Sequence, residues 1–165
     1  MELVVGLSLG HRTVSEAEHW IHDLGLPARV ACTHLLREPW PHVAVSLRLS
    51  ARAPLPRQPP ELAAAARLAQ VAHQERRSGR AFDYPGVERL TGELTVAQLL
   101  AASAIERVTV LGGPPPTPQT PVLTRDFVRP QWLDGHLTLM ATPAPDDRIA
   151  PFEISNPVEC CKDKH

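Results

Sequence analysis

Several short stretches of the chain carry side chains of the right type and spacing for chemistry. Gly6-Leu7-Ser8-Leu9-Gly10 sets a serine between two glycines, after an apolar run and just ahead of a helix signal. This is the setting in which a nucleophilic hydroxyl is held on a tight turn. His11 follows at once. The same segment has a milder use, because Gly10, His11, Arg12 and Thr13 lead into a helix N-terminus whose free N–H groups and dipole attract phosphate or carboxylate. These four form the candidate anion site. Cys160, Cys161 and His165 offer two thiols and an imidazole, a set that suits zinc or copper(I) and is one ligand short of a closed zinc site. Cys32, His34 or His42 are candidates for the fourth ligand. Lys162 and Lys164 favour the thiolate form, which serves metal binding or thiol redox alike.

Each signal has a plainer reading. A G-x-S-x-G turn belongs to a hydrolase fold with a larger sheet and with an acid and a histidine further on, whereas here Gly6 can simply permit close backbone packing and Gly10 can end a strand. Arg76-Arg77-Ser78-Gly79-Arg80-Ala81 resembles the R-x-x-G-x-A phosphate loop of acetyltransferases over those six residues. It closes a helix where that loop opens one, so its N–H groups would point away from a phosphate, and acetyl transfer is excluded. His19 and His22, and Glu18 and His22, share helical spacing on a polar face and read as solvated surface. Cys32 and His34 alternate onto one face of a strand and could form half a site, although a strand cysteine is commonly core. Residues 80–92 gather Phe82, Asp83, Tyr84, Glu88 and Arg89 in a long polar loop, and if the chain has a small-molecule pocket its expected place is between this loop and the Gly10 to Thr13 turn.

The elements that must position these residues are legible in outline. Residues 2–9 form a nearly continuous apolar run, predicting a strand covered on both faces. Thr13 and Glu16 make a capping box, Val14, Ala17, Ile21 and Leu24 make one apolar helical face, and Gly25 with Pro27 supplies the stop. Residues 28–36 and 43–50 read as strands, the second half-buried, with Val43, Val45, Leu47 and Leu49 inward and Ala44, Ser46, Arg48 and Ser50 outward. A Pro-rich linker over 51–60 precedes an Ala-rich helix over 61–78. Thr95 and Gln98 open a short helix with a second capping box, and residues 107–111 form a strand. The five prolines of residues 112–121 make a stiff connector. Residues 122–129 and 136–142 are predicted to pair as a hairpin turning at Asp134-Gly135, and residues 149–154 give a last short strand.

This order matches a ferredoxin-like βαββαβ core with an added C-terminal hairpin, an analogy of element order that implies no activity. One α/β domain is expected over residues 1–157, with a flexible Cys/His tail over 158–165. The chain is 165 residues, 43% hydrophobic and 21% charged, which fits a single folded core. With three Trp, three Phe and one Tyr, that core should be aliphatic. Net charge is −1 with the arginines dispersed among acids, which argues against a nucleic-acid partner. Only two of the seventeen basic residues are lysines, a bias pointing to a GC-rich bacterium. Glu2 stands where an export signal would be positive, no apolar stretch reaches the ~20 residues of a membrane span, and three cysteines make no disulfide framework. The cytoplasm is the expected compartment. The leading functional expectation is a non-catalytic domain that binds a small molecule or serves a protein partner. The alternatives are a small hydrolase-like enzyme using Ser8, or Asp126 with His136, and a metal-binding or thiol-redox protein working through the C-terminal cysteines.

Overall fold

A computed structural model describes residues 3–155. In chain order the elements are β1 (Leu3–His11), α1 (Val14–Leu24), β2 (Ala28–Leu36), β3 (His42–Leu49), α2 (Ala63–Gln74), β4 (Arg80–Asp83), β5 (Glu93–Thr95), α3 (Val96–Ala102), β6 (Arg107–Val110), β7 (Pro121–Leu123), β8 (Gln131–Leu133), β9 (His136–Ala144) and β10 (Arg148–Pro151). The protein is therefore of mixed α+β type, with ten strands and three α-helices among the described residues. No helix among them is long and apolar enough to cross a membrane. The described residues divide into two compact units, one made of residues 3–85 together with Pro130–Leu137, the other of Gly86–Arg129 and residues 138–155.

In the first unit the strands lie in the order β1-β3-β2-β4-β8. β3 pairs antiparallel with β1 on one side, Val5 opposite Leu47, and with β2 on the other, Cys32 opposite Ser46. β1 and β2 thus run parallel and are joined through α1. That helix starts where predicted: the Thr13 hydroxyl accepts from the Glu16 N–H at 3.1 Å, and the Glu16 carboxylate accepts from the Thr13 N–H at 3.0 Å. Its Ala17 and Ile21 join Val5, Leu7, Ala31, Val43, Val45, Leu47, Leu49 and Phe82 in one buried cluster.

The opposite face of the same strands carries Gly6, Cys32, His34, Ala44 and Ser46, and α2 lies on it through Ala65, Ala66, Ala69, Ala72 and His73. Small residues on both sides allow the close approach. A Cβ at Gly6 would collide with the Ala66 carbonyl oxygen, so the plain packing reading of that glycine holds. β3 is consequently buried on both faces rather than half-buried, and Ala44 and Ser46, expected to face outward, have no exposed surface.

The ferredoxin-like arrangement is not what forms. Its two helices would share one face, whereas α1 and α2 here cover opposite faces, and the strand after α2 is β4, which pairs with β2 while β1 stays at the edge. β4 also corrects the reading of residues 80–92 as a long polar loop: Ala81 and Phe82 are buried strand residues and Tyr84 is buried just beyond.

The second unit contains the order β9-β10-β7-β5, with β6 parallel to β9 through Arg107↔Thr138 to Val110↔Ala141. β7 runs parallel to β10 at Ile149↔Val122 and antiparallel to β5. α3 begins with the predicted Thr95 and Gln98 box. The predicted strand over 122–129 is shorter than expected: after Leu123 the backbone turns through left-handed Arg125 and Asp126, and Asp126 accepts from the Gly92 N–H at 2.9 Å. The predicted turn at Asp134-Gly135 does form, with φ of 50° and 83°, but β8 rather than residues 122–129 leads into it.

Candidate functional site

Two side-chain clusters of the first unit carry chemistry, one sealed and one open. The sealed cluster arises because α2 lays His73 over the middle strand. Ser46 Oγ of β3 lies 2.7 Å from His34 Nε2 of β2 and 2.8 Å from His73 Nδ1 of α2, with all three residues buried. One hydroxyl has one proton, so it can donate to only one of the two imidazoles and must accept from the other. The direction follows from His73 Nε2, which is buried without a protein hydrogen-bond partner. A bare lone pair there costs less than an orphaned N–H, so His73 carries its proton on Nδ1 and donates to Ser46, and Ser46 donates to His34 Nε2. His34 then carries its proton on Nδ1.

Burial pushes both imidazoles down to about 4, and for His73 the cations Arg48 and Arg76 and the neighbouring His34 add to the effect. Both are neutral at pH 7. Cys32 shares the cluster as a free, buried thiol. Desolvation pushes it up to about 12 against smaller opposing effects of Trp132, Ser46 and Arg48, so it is protonated and inert. The Trp132 ring stands 6.3 Å from His73, with the Arg76 guanidinium 5.3 Å from the centroid of the indole. Sequence reasoning saw Cys32 and His34 on one strand face but missed Ser46, His73 and Trp132. The alternation of β3 did place Ser46 on the face opposite its apolar residues, but nothing local marks what covers that face.

The open cluster is a groove of about 460 Å³ lined by His11, Ser15, Glu16, His19, Trp20 and Asp23. It draws on His11 at the end of β1, and its other lining comes from α1 and not from residues 80–92. His11 and Trp20 face each other at 5.0 Å, tilted by 38°. Desolvation lowers the His11 pKa, partly offset by the charge of Glu16, and its Nδ1 is buried without a protein partner. The Thr13 hydroxyl and N–H hold the Glu16 carboxyl below the usual carboxylate range. The groove therefore presents two carboxylates, the imidazoles of His11 and His19, a hydroxyl and an indole.

The remaining sequence candidates are placed as follows. Ser8 is buried; its hydroxyl accepts from the Gly10 N–H at 3.2 Å and its own N–H donates to Gln58 Oε1 at 2.8 Å. No hydrogen bond joins Ser8 to a histidine among those of the described residues. Of the anion-site residues Gly10, His11, Arg12 and Thr13, the last already has its N–H bound to the Glu16 carboxylate, so the start of α1 holds an anion of its own. His42 Nδ1 lies 2.7 Å from the Trp40 carbonyl oxygen, and Glu18 pairs with Arg80 at 2.8 Å. Among the described residues no three His, Cys, Asp or Glu side chains are grouped to hold a metal ion. Cys160, Cys161 and His165 lie outside the described residues, as does the tail over 158–165. No protein-family model matches the chain, and no curated protein or solved structure is significantly similar to it.

Proposed function

We propose that the chain is a non-catalytic binding domain whose groove along α1 takes a small organic cation. The observation that carries this reading is the lining itself, in which the Glu16 and Asp23 carboxylates stand with the Trp20 indole around a space of small-molecule size. A cation gains from the carboxylates by charge and from the indole by its ring quadrupole, the latter contributing roughly 0.5–2 kcal/mol. His11, neutral at pH 7, adds no opposing charge. A reducing compartment such as the cytoplasm suits the free thiol of Cys32.

The test is a titration of ¹⁵N-labelled protein with tetramethylammonium, with ethylguanidinium and with inorganic phosphate. The cations should shift the Trp20 indole resonance and the α1 amides saturably, and Trp20→Ala should abolish that effect while leaving the fold intact. Shifts with phosphate alone, or no saturable shift with either cation, would refute the reading.

A further inference from the structure

We infer that the His73-Ser46-His34 relay is an acid-sensitive latch that fastens the C-terminal end of α2 to β2 and β3, and that proton uptake opens this seam. The three residues come from three elements, and a single hydroxyl with contacts of 2.7 and 2.8 Å joins them. Its single proton is committed to His34 and its contact with His73 needs that imidazole's N–H, so a proton added to either histidine disturbs the relay. A proton on His34 Nε2 would meet the Ser46 O–H already aimed at that atom. Both facing nitrogens would then be donors, and the Ser46 proton would have to turn to another acceptor, for which the Cys32 thiol is a weak candidate. A proton on His73 Nε2 would place a charged N–H where no acceptor stands.

The surroundings add no relief. The groups acting on the relay are the protonated Cys32 thiol from β2, Arg48 from β3 and Arg76 just beyond α2, while β8 contributes the uncharged Trp132. The charges of Arg48 and Arg76 both oppose a proton on His73. An imidazolium formed in this seam is desolvated and repelled, and opening the seam relieves both penalties.

The sign follows from linkage. Both histidines are held below their ordinary value of about 6.5, so the opened form binds protons more readily than the closed one. The latch is at full strength above that value and is lost as pH falls towards 4. Within the window the opening constant should rise by roughly tenfold per pH unit for each histidine, hence by up to about a hundredfold where both take up protons.

Hydrogen exchange of the α2 amides between pH 7 and 4, corrected for the intrinsic exchange rate, reads the opening directly. Protection should fall with the steepness of more than one proton. The His34→Gln, His73→Asn double variant keeps an acceptor towards Ser46 at 34 and a donor at 73 but cannot titrate, so its protection should be flat. Equal steepness in wild type and double variant would overturn the latch. Wild-type protein supplies a second readout if that variant fails to fold: ring ¹⁵N resonances of His34 and His73 that titrate while α2 remains protected would overturn it as well.

Discussion

Ser46 Oγ lies 2.8 Å from His73 Nδ1 across a seam where both residues have no exposed surface. The contact joins the middle strand of the first unit to the helix laid over it, a polar pin within an otherwise small-residue interface. Ser46→Ala removes the hydroxyl and leaves His34 Nε2 and His73 Nδ1 buried without it. Each such group costs about 1–3 kcal/mol, so equilibrium urea unfolding of the variant should show a loss of roughly 2–5 kcal/mol with an unchanged m-value. A loss below ~0.5 kcal/mol would show that the relay is not satisfied as described.

Gly6→Ala should be as costly as a core substitution despite its one-carbon size. The added Cβ meets the carbonyl oxygen of Ala66, which is helix backbone and cannot swing aside, and it also approaches Gln70 Cβ at 3.1 Å. Displacing α2 from the sheet should cost about 1–3 kcal/mol and lower the melting temperature by several degrees. The Gly6 N–H to Gln70 contact, already 3.3 Å, should lose exchange protection first.

At Gly135 the effect should be conformational alone. No heavy atom stands within 4 Å of a Cβ built there, yet φ is +83°. Gly135→Val forces a β-branched residue into the left-handed region and should destabilise by roughly 1–2 kcal/mol, while Gly135→Asn should stay within about 0.5 kcal/mol of wild type. Equal melting temperatures for the two variants would show that the turn does not keep this geometry in solution.

Cys32 should label only through opening of the first unit. Its thiol is buried and pushed up to about 12, so thiolate is scarce at pH 8 even where reagent could reach it. In a Cys160→Ser, Cys161→Ser background, the iodoacetamide labelling rate should track the urea unfolding curve. Labelling at the rate of a free thiol in native buffer would mean that the cluster is accessible.

What the chain states by itself is local. The capping boxes of Thr13 with Glu16 and Thr95 with Gln98 form as read, because a side chain three residues from its backbone target needs no tertiary context. The bounds of β2 and the left-handed pair at Asp134-Gly135 were legible for the same reason, one from its run of strand formers and the other from turn chemistry. His11 was legible as a candidate, but its partners Glu16, His19, Trp20 and Asp23 form a groove only once α1 folds back beside the end of β1. The choice of face for α2 was not legible at all. Ala-rich helices carry little directional signal, and the close seat of α2 on β1 needs the missing Cβ of Gly6, sixty residues away from Ala66 in the chain. That choice buries Ser46, brings His73 to it from 27 positions along the sequence, and sets β4 beside β2. Pairings such as Ile149 with Val122 are of the same kind. Their loop-closure cost is met only by the assembled core, so the tertiary structure decides them and no window of sequence does.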